Sequence, residues 1–147
     1  MNSNTKNIII EICALLLAAL FFYTGISKIL DADNTYYSLK NQVFPDWFVT
    51  LLFYTLPLLE IILAIALVIP RSRKISLWLS LILLTSFTAY IGIVLTGVFG
   101  RIPCSCGGVI SQLTWTQHLF FNLFFLSITI ISSYLQKNIN SPPPQPS

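Results

Sequence analysis

Residues 47–69 read WFVTLLFYTLPLLEIILAIALVI, an unbroken apolar run with one charged side chain, Glu60, near its middle. A helix rising 1.5 Å per residue crosses a hydrocarbon core of about 30 Å with a run of this length. No water reaches that depth to satisfy the backbone, so helix is the expected state. Three more segments read the same way, at residues 8–30, 75–99 and 115–135. None shows the polar stripe at helical period that a soluble amphipathic bundle requires. Composition agrees. Of 147 residues, 55% are hydrophobic and 9% charged, with mean hydropathy +0.79, whereas soluble domains carry about 25% charged residues.

The expected fold is therefore all-α: a polytopic membrane protein with a four-transmembrane-helix bundle over residues 8–135. Residues 1–7 form a short N-terminal segment before it. Residues 136–147, with Pro142, Pro143, Pro144 and Pro146, read as a disordered tail. The length leaves no room for a second domain. The first apolar segment exceeds a signal-peptide core and ends without a small-residue cleavage site, so it reads as an uncleaved span.

A net charge of +3 does not point to nucleic acid here, because the cations sit in short inter-helix segments where they set topology. Lys6, Arg71, Arg73, Lys74 and Lys137 fall on one side, and Lys28, Lys40 and Arg101 on the other, beside Asp31, Asp33 and Asp46. Short basic loops stay cytoplasmic. Both termini are thus expected inside a bacterial inner membrane, with residues 31–46 and 100–114 on the periplasmic side. That side is oxidising.

The last of these loops carries Pro103-Cys104-Ser105-Cys106-Gly107-Gly108. Two thiols one residue apart can close a small, strained disulfide, which exchanges more readily than a relaxed one. Gly107 and Gly108 let another backbone approach. The alternatives are a structural disulfide, free thiols, or a metal held by Cys104, Cys106 and His118, although a full four-ligand set is not visible. His118 is the only histidine. It shares a helical face with Trp115 and Asn122 at i, i+3 and i+7, where it can stabilise a thiolate or simply anchor the helix end. Glu60 is the least expected residue: a charge at mid-membrane depth costs about 2.5–3.5 kcal/mol and by default marks function. A protonated Glu60 facing the interior, beside a helix kinked at Pro57, is expected to find Thr85, Tyr90 or Asn122. Lys28 is expected to snorkel to the interface or pair with Asp31. Gly25 on the first span, and Thr88, Gly92 and Thr96 on the third, are expected at close helix contacts. Cys13, remote from the other two cysteines, reads as a packing residue.

Gly25-x-x-Lys28-x-x-Asp31, Pro57-x-x-Glu60 and Cys104-x-Cys106-Gly107, in that order on four spans, resemble the MauE/DoxX group of redox-associated membrane proteins over about residues 8–135. The resemblance is closer to the MauE side, because DoxX-type chains need not carry the cysteine pair. It implies a four-helix bundle associated with periplasmic maturation of methylamine dehydrogenase, whose small subunit is rich in disulfides. It further implies that disulfides or electrons are relayed with a periplasmic thioredoxin-like partner or a disulfide-rich client. Cys-x-Cys departs from the Cys-x-x-Cys of quinone-linked disulfide oxidases of similar shape, so the resemblance leaves a quinone cofactor open.

The leading functional expectation is a membrane thiol–disulfide oxidoreductase. Cys104 and Cys106 would be its redox pair, His118 would tune a thiolate, and Glu60 with Asn122 would form a proton or cofactor pocket. A proton-coupled transporter built on Glu60, which would need a homodimer, is a second class. A third is a non-catalytic assembly factor docking through Tyr36, Tyr37, Phe44 and Trp47.

Overall fold

The computed structural model describes residues 2–100 and 113–139. These form five helices: α1 (Ser3–Leu30), α2 (Ala32–Lys40), α3 (Asp46–Val68), α4 (Arg73–Leu95) and α5 (Trp115–Ile139). All but α2 are long and apolar enough to cross a membrane, as the apolar runs require. Helices α1 and α5 extend past the expected bounds of 8 and 135, reaching Ser3 and Ile139. Helix α4 stops short of residue 99.

The interior is built by Leu17, Ala18 and Phe21 of α1, Leu63, Ala64 and Leu67 of α3, and Leu77 and Leu84 of α4, with Phe125 and Leu126 of α5 packed against them. The outward faces are as apolar as the interior. Leu58, Ile62, Ile82, Phe120 and Phe124 all point away from the bundle. Water would penalise that surface, whereas lipid tails cover it.

Helices α1 and α3 approach each other closely at Gly25. A Cβ there would lie 2.9 Å from Ile61 Cγ1 and 3.1 Å from the Pro57 carbonyl oxygen, so only glycine lets the two backbones meet. Gly92, expected at a similar contact, has no atom within 4 Å of a Cβ position among the described residues. Pro57 is accommodated within α3, which stays helical through it.

The helix ends are closed by side chains. At the α3–α4 turn the Ser72 hydroxyl donates to the Ala66 carbonyl at 2.7 Å and Arg73 Nε to the Leu67 carbonyl at 3.2 Å, occupying acceptors that the end of α3 leaves open. Gly97 follows α4 with φ +72°, the left-handed position that favours glycine. Helix α5 opens with a capping box: the Gln117 amide N–H donates to Thr114 Oγ1 and the Thr114 N–H to Gln117 Oε1 at 2.9 Å.

Helix α2 lies where a loop was expected. Tyr36 packs edge-on against Phe53 of α3 at 5.4 Å, with the Lys40 ammonium 5.8 Å from its ring centre. Phe44 stacks on Tyr90 of α4 at 5.0 Å, and Tyr90 meets Trp115 of α5 at 6.5 Å. These contacts gather α2, the last turns of α4 and the start of α5 at one end of the bundle. Gly100 and Leu113 therefore bracket residues 101–112 at the α2 end.

Candidate functional site

Glu60 is buried, at 2% exposure, as its position predicts. Its partner is Lys28. The ammonium nitrogen donates to both carboxylate oxygens, at 2.8 and 2.9 Å. Side-chain exposure is 17% for Lys28 and 3% for Glu60. This corrects both expectations for these residues: Lys28 turns inward instead of snorkelling, and the main partner of Glu60 is its ammonium, with the Thr24 hydroxyl also interacting with the carboxylate. Asp31 instead accepts from Asn34 Nδ2 at 2.9 Å. Of the three groups named for Glu60, Thr85 is exposed, and Tyr90 donates its hydroxyl to Gln42 Oε1 at 2.6 Å.

The pairing follows from register. Lys28 lies one turn after Gly25, and Glu60 one turn after Pro57. The close contact at Gly25 also brings the Glu60 Cβ to 3.3 Å from a Cβ at that position. A long side chain on a helix leans toward the N-terminus of that helix, which carries the Lys28 ammonium back to the level of Glu60. Each charge lowers the burial penalty of the other.

The pair lines one wall of a cavity of about 450 Å³ on the α2 side of the bundle. His118, Asn122 and Trp115 of α5, Tyr90 of α4, and Thr35 and Gln42 at α2 line it as well. The structure thus brings together Glu60, Asn122, His118, Trp115 and Lys28, five of the residues singled out from sequence. Gly25 and Pro57 act just outside it, by setting the α1–α3 distance. Asp31 is turned away. Cys104, Cys106 and Gly107 lie outside the described residues, and so does the proposed metal set that used them.

Two residues that line this cavity each carry a buried side-chain atom without a hydrogen-bond partner among the described residues: His118 Nδ1 and Thr35 Oγ1. Thr35 is 4% exposed. Thr35 and Gln42 escaped the sequence reading because α2 was not foreseen. The twin spacing Gly25-x-x-Lys28 and Pro57-x-x-Glu60 was the signal for the ion pair, visible once both glycine and proline are placed at one contact. A second pair joins Arg73 to Glu11 at 4.0 Å at the opposite end of the bundle, where Glu11 is largely exposed.

The expected aromatic docking surface divides in two. Tyr36 and Phe44 turn inward onto Phe53 and Tyr90, while Tyr37 and Trp47 remain exposed at 65% and 70%. Cys13, in α1, is half-buried and unbridged.

Comparison with known families matches residues 6–135 to the family described as methylamine utilisation protein MauE. No curated protein matches the chain, and no solved structure does.

Proposed function

The chain belongs to the MauE family, and from that premise we propose that it is a membrane thiol–disulfide relay serving the maturation of periplasmic proteins in methylamine utilisation. Cys104 and Cys106 are its redox pair. A dithiol client attacks the Cys104–Cys106 disulfide through one thiolate, passes through a mixed disulfide, and leaves oxidised. The two electrons and two protons then reside on Cys104 and Cys106. A thioredoxin-fold disulfide partner restores the pair by the same exchange in reverse. His118 favours the thiolate, and Asn122 with the Lys28–Glu60 pair manages protons behind it.

One observation carries this reading. Lys28, Glu60, His118, Asn122, Thr35 and Gln42 line one cavity at the end where the described chain stops at Gly100 and resumes at Leu113. Cys104 and Cys106 follow Gly100 by four and six residues in the sequence. The charge pattern supports a periplasmic position for this end.

The test is client oxidation in cells carrying the Cys104→Ser, Cys106→Ser chain at parental abundance. The relay predicts client thiols trapped in reduced form, and a Cys106→Ser chain that accumulates a mixed disulfide with its partner. Normal client disulfides in the double variant would overturn it.

A further inference from the structure

The end of the bundle remote from the Lys28–Glu60 cavity is strongly basic. Of the acidic residues, Asp31, Asp33, Asp46 and Glu60 belong to the α2 side, which leaves Glu11 alone with Lys6, Arg71, Arg73, Lys74 and Lys137. Glu11 stands 4.0 Å from Arg73, and Lys74 makes no ion pair among the described residues. Arg73 and Lys74 also occupy the first turn of α4, which carries no acidic residue and no side-chain cap. Cations there face the positive end of the helix dipole, an arrangement that a bound anion relieves.

A cleft of about 260 Å³ opens at this point, between the start of α4 and the end of α5. Lys74 and Lys137 line it with Gln136 and Trp78, above Leu77 and Ser133, which are both buried. We propose that this cleft binds the phosphodiester headgroup of an anionic glycerophospholipid. The inference does not rest on the relay reading.

Three features select a lipid over a free anion. The volume lies below the roughly 300–1,000 Å³ of sites that enclose a whole small molecule, so a headgroup fits while its acyl chains lie outside. Outside, the path is apolar. Trp78 and, one turn further into the span, Ile82 are exposed on α4, and Ile130, one turn before Ser133, is exposed on α5. The depth also matches. Lys74 is the second residue of α4, and Lys137 lies two residues before the end of α5. Both therefore reach the headgroup layer, where the exposed Trp78 and Tyr134 suit an aromatic belt. Basic pockets between spanning helices recognise anionic headgroups in this way.

The experiment reads Trp78 against brominated lipids. The purified full chain carrying Trp47→Phe and Trp115→Phe keeps Trp78 as its only tryptophan. It is placed in nanodiscs of phosphatidylcholine and phosphatidylglycerol in equal amounts, with bromine on the acyl chains of one lipid or the other. Brominated phosphatidylglycerol should quench Trp78 more strongly, with a relative affinity about fivefold or more in its favour. Lys74→Gln with Lys137→Gln should bring that preference to about twofold or less. Lys6→Gln with Arg71→Gln removes the same charge from the same end but not from the cleft, and should leave the preference in place. Equal quenching by the two lipids in the parent overturns the site, as does a preference that survives loss of both cleft lysines. Equal loss in the two double variants also overturns it, in favour of a diffuse surface potential. Competition by inorganic phosphate beyond that of chloride at the same ionic strength assigns the cleft to a free anion and overturns the lipid. None of these results bears on client oxidation, by which the relay stands or falls.

Discussion

Replacing Lys28 by methionine tests the centre of the structure most directly. The methionine stem follows the course of the lysine but leaves the Glu60 carboxylate without its counter-charge at 3% side-chain exposure. Removing one partner of a buried ion pair destabilises by about 3–5 kcal/mol. Because Lys28 retains 17% exposure, and some solvent screening with it, the lower end applies: about 3 kcal/mol, or roughly a hundredfold in the unfolding equilibrium. Glu60→Leu should be milder. It strands an ammonium on a flexible stem near the helix end, which can swing toward the interface, for about 1–3 kcal/mol.

The double variant Lys28→Met, Glu60→Leu decides what the pair is for. Apolar replacement of a whole buried pair is often neutral or stabilising by about 1–4 kcal/mol. The double variant should therefore recover most of the loss, giving a coupling energy of about 2 kcal/mol or more. Reversible unfolding of the purified chain in mixed micelles at increasing mole fraction of dodecyl sulfate measures all four corners of the cycle. Lys28→Met within about 0.5 kcal/mol of the parent, together with coupling near zero, would refute the reasoning, because it would mean the two charges do not meet in the membrane. If the double variant folds well but no longer supports client oxidation, the pair serves function over stability.

Gly25→Ala should destabilise by about 1 kcal/mol or more in the same assay. Overpacking at about 1–3 kcal/mol outweighs the helix-propensity gain of about 1 kcal/mol, since the new methyl meets the Pro57 carbonyl at 3.1 Å. Tyr90→Phe removes the 2.6 Å bond to Gln42, a residue 3% exposed. It should cost about 1–2 kcal/mol and raise amide hydrogen exchange in α2 more than in α3. Ser132→Ala deletes a buried hydroxyl with no partner among the described residues, so denaturation of this variant should fall within about 0.5 kcal/mol of the parent or above it.

What the sequence disclosed and what it hid divide by distance along the chain. Spanning helices are legible because hydrophobic length is a local property and the bilayer enforces helix whatever the packing. Helix α2 was hidden because it has nine residues, too few to be stable alone. It exists through Tyr36 on Phe53 and through Tyr90 on Gln42, contacts between separate elements. Glu60 declared itself by depth. Its partner did not, because Lys28 lies 32 residues away and near a helix end, where lysines usually turn outward. Only the α1–α3 register set by Gly25 decides between the two directions. His118 and Asn122 were placed on one face by spacing, but spacing says nothing of a cavity between helices.

The ion pair also alters the argument for orientation. Lys28 stood among three cations counted against five, yet its charge is matched by Glu60 within the bundle and cannot act as a free loop charge. Lys40 and Arg101 then remain on that side, set against Lys6, Arg71, Arg73, Lys74 and Lys137 on the other. Arg73 is partly engaged too, through the Leu67 carbonyl and at 4.0 Å from Glu11, but Glu11 is mostly exposed and screens it weakly. The imbalance of positive charge thus grows once the packing is known. The count that bears on the proposed periplasmic position of α2 and the cavity mouth is then five against two. A buried lysine near the end of a span belongs to the chemistry of the bundle and not to its topology signal.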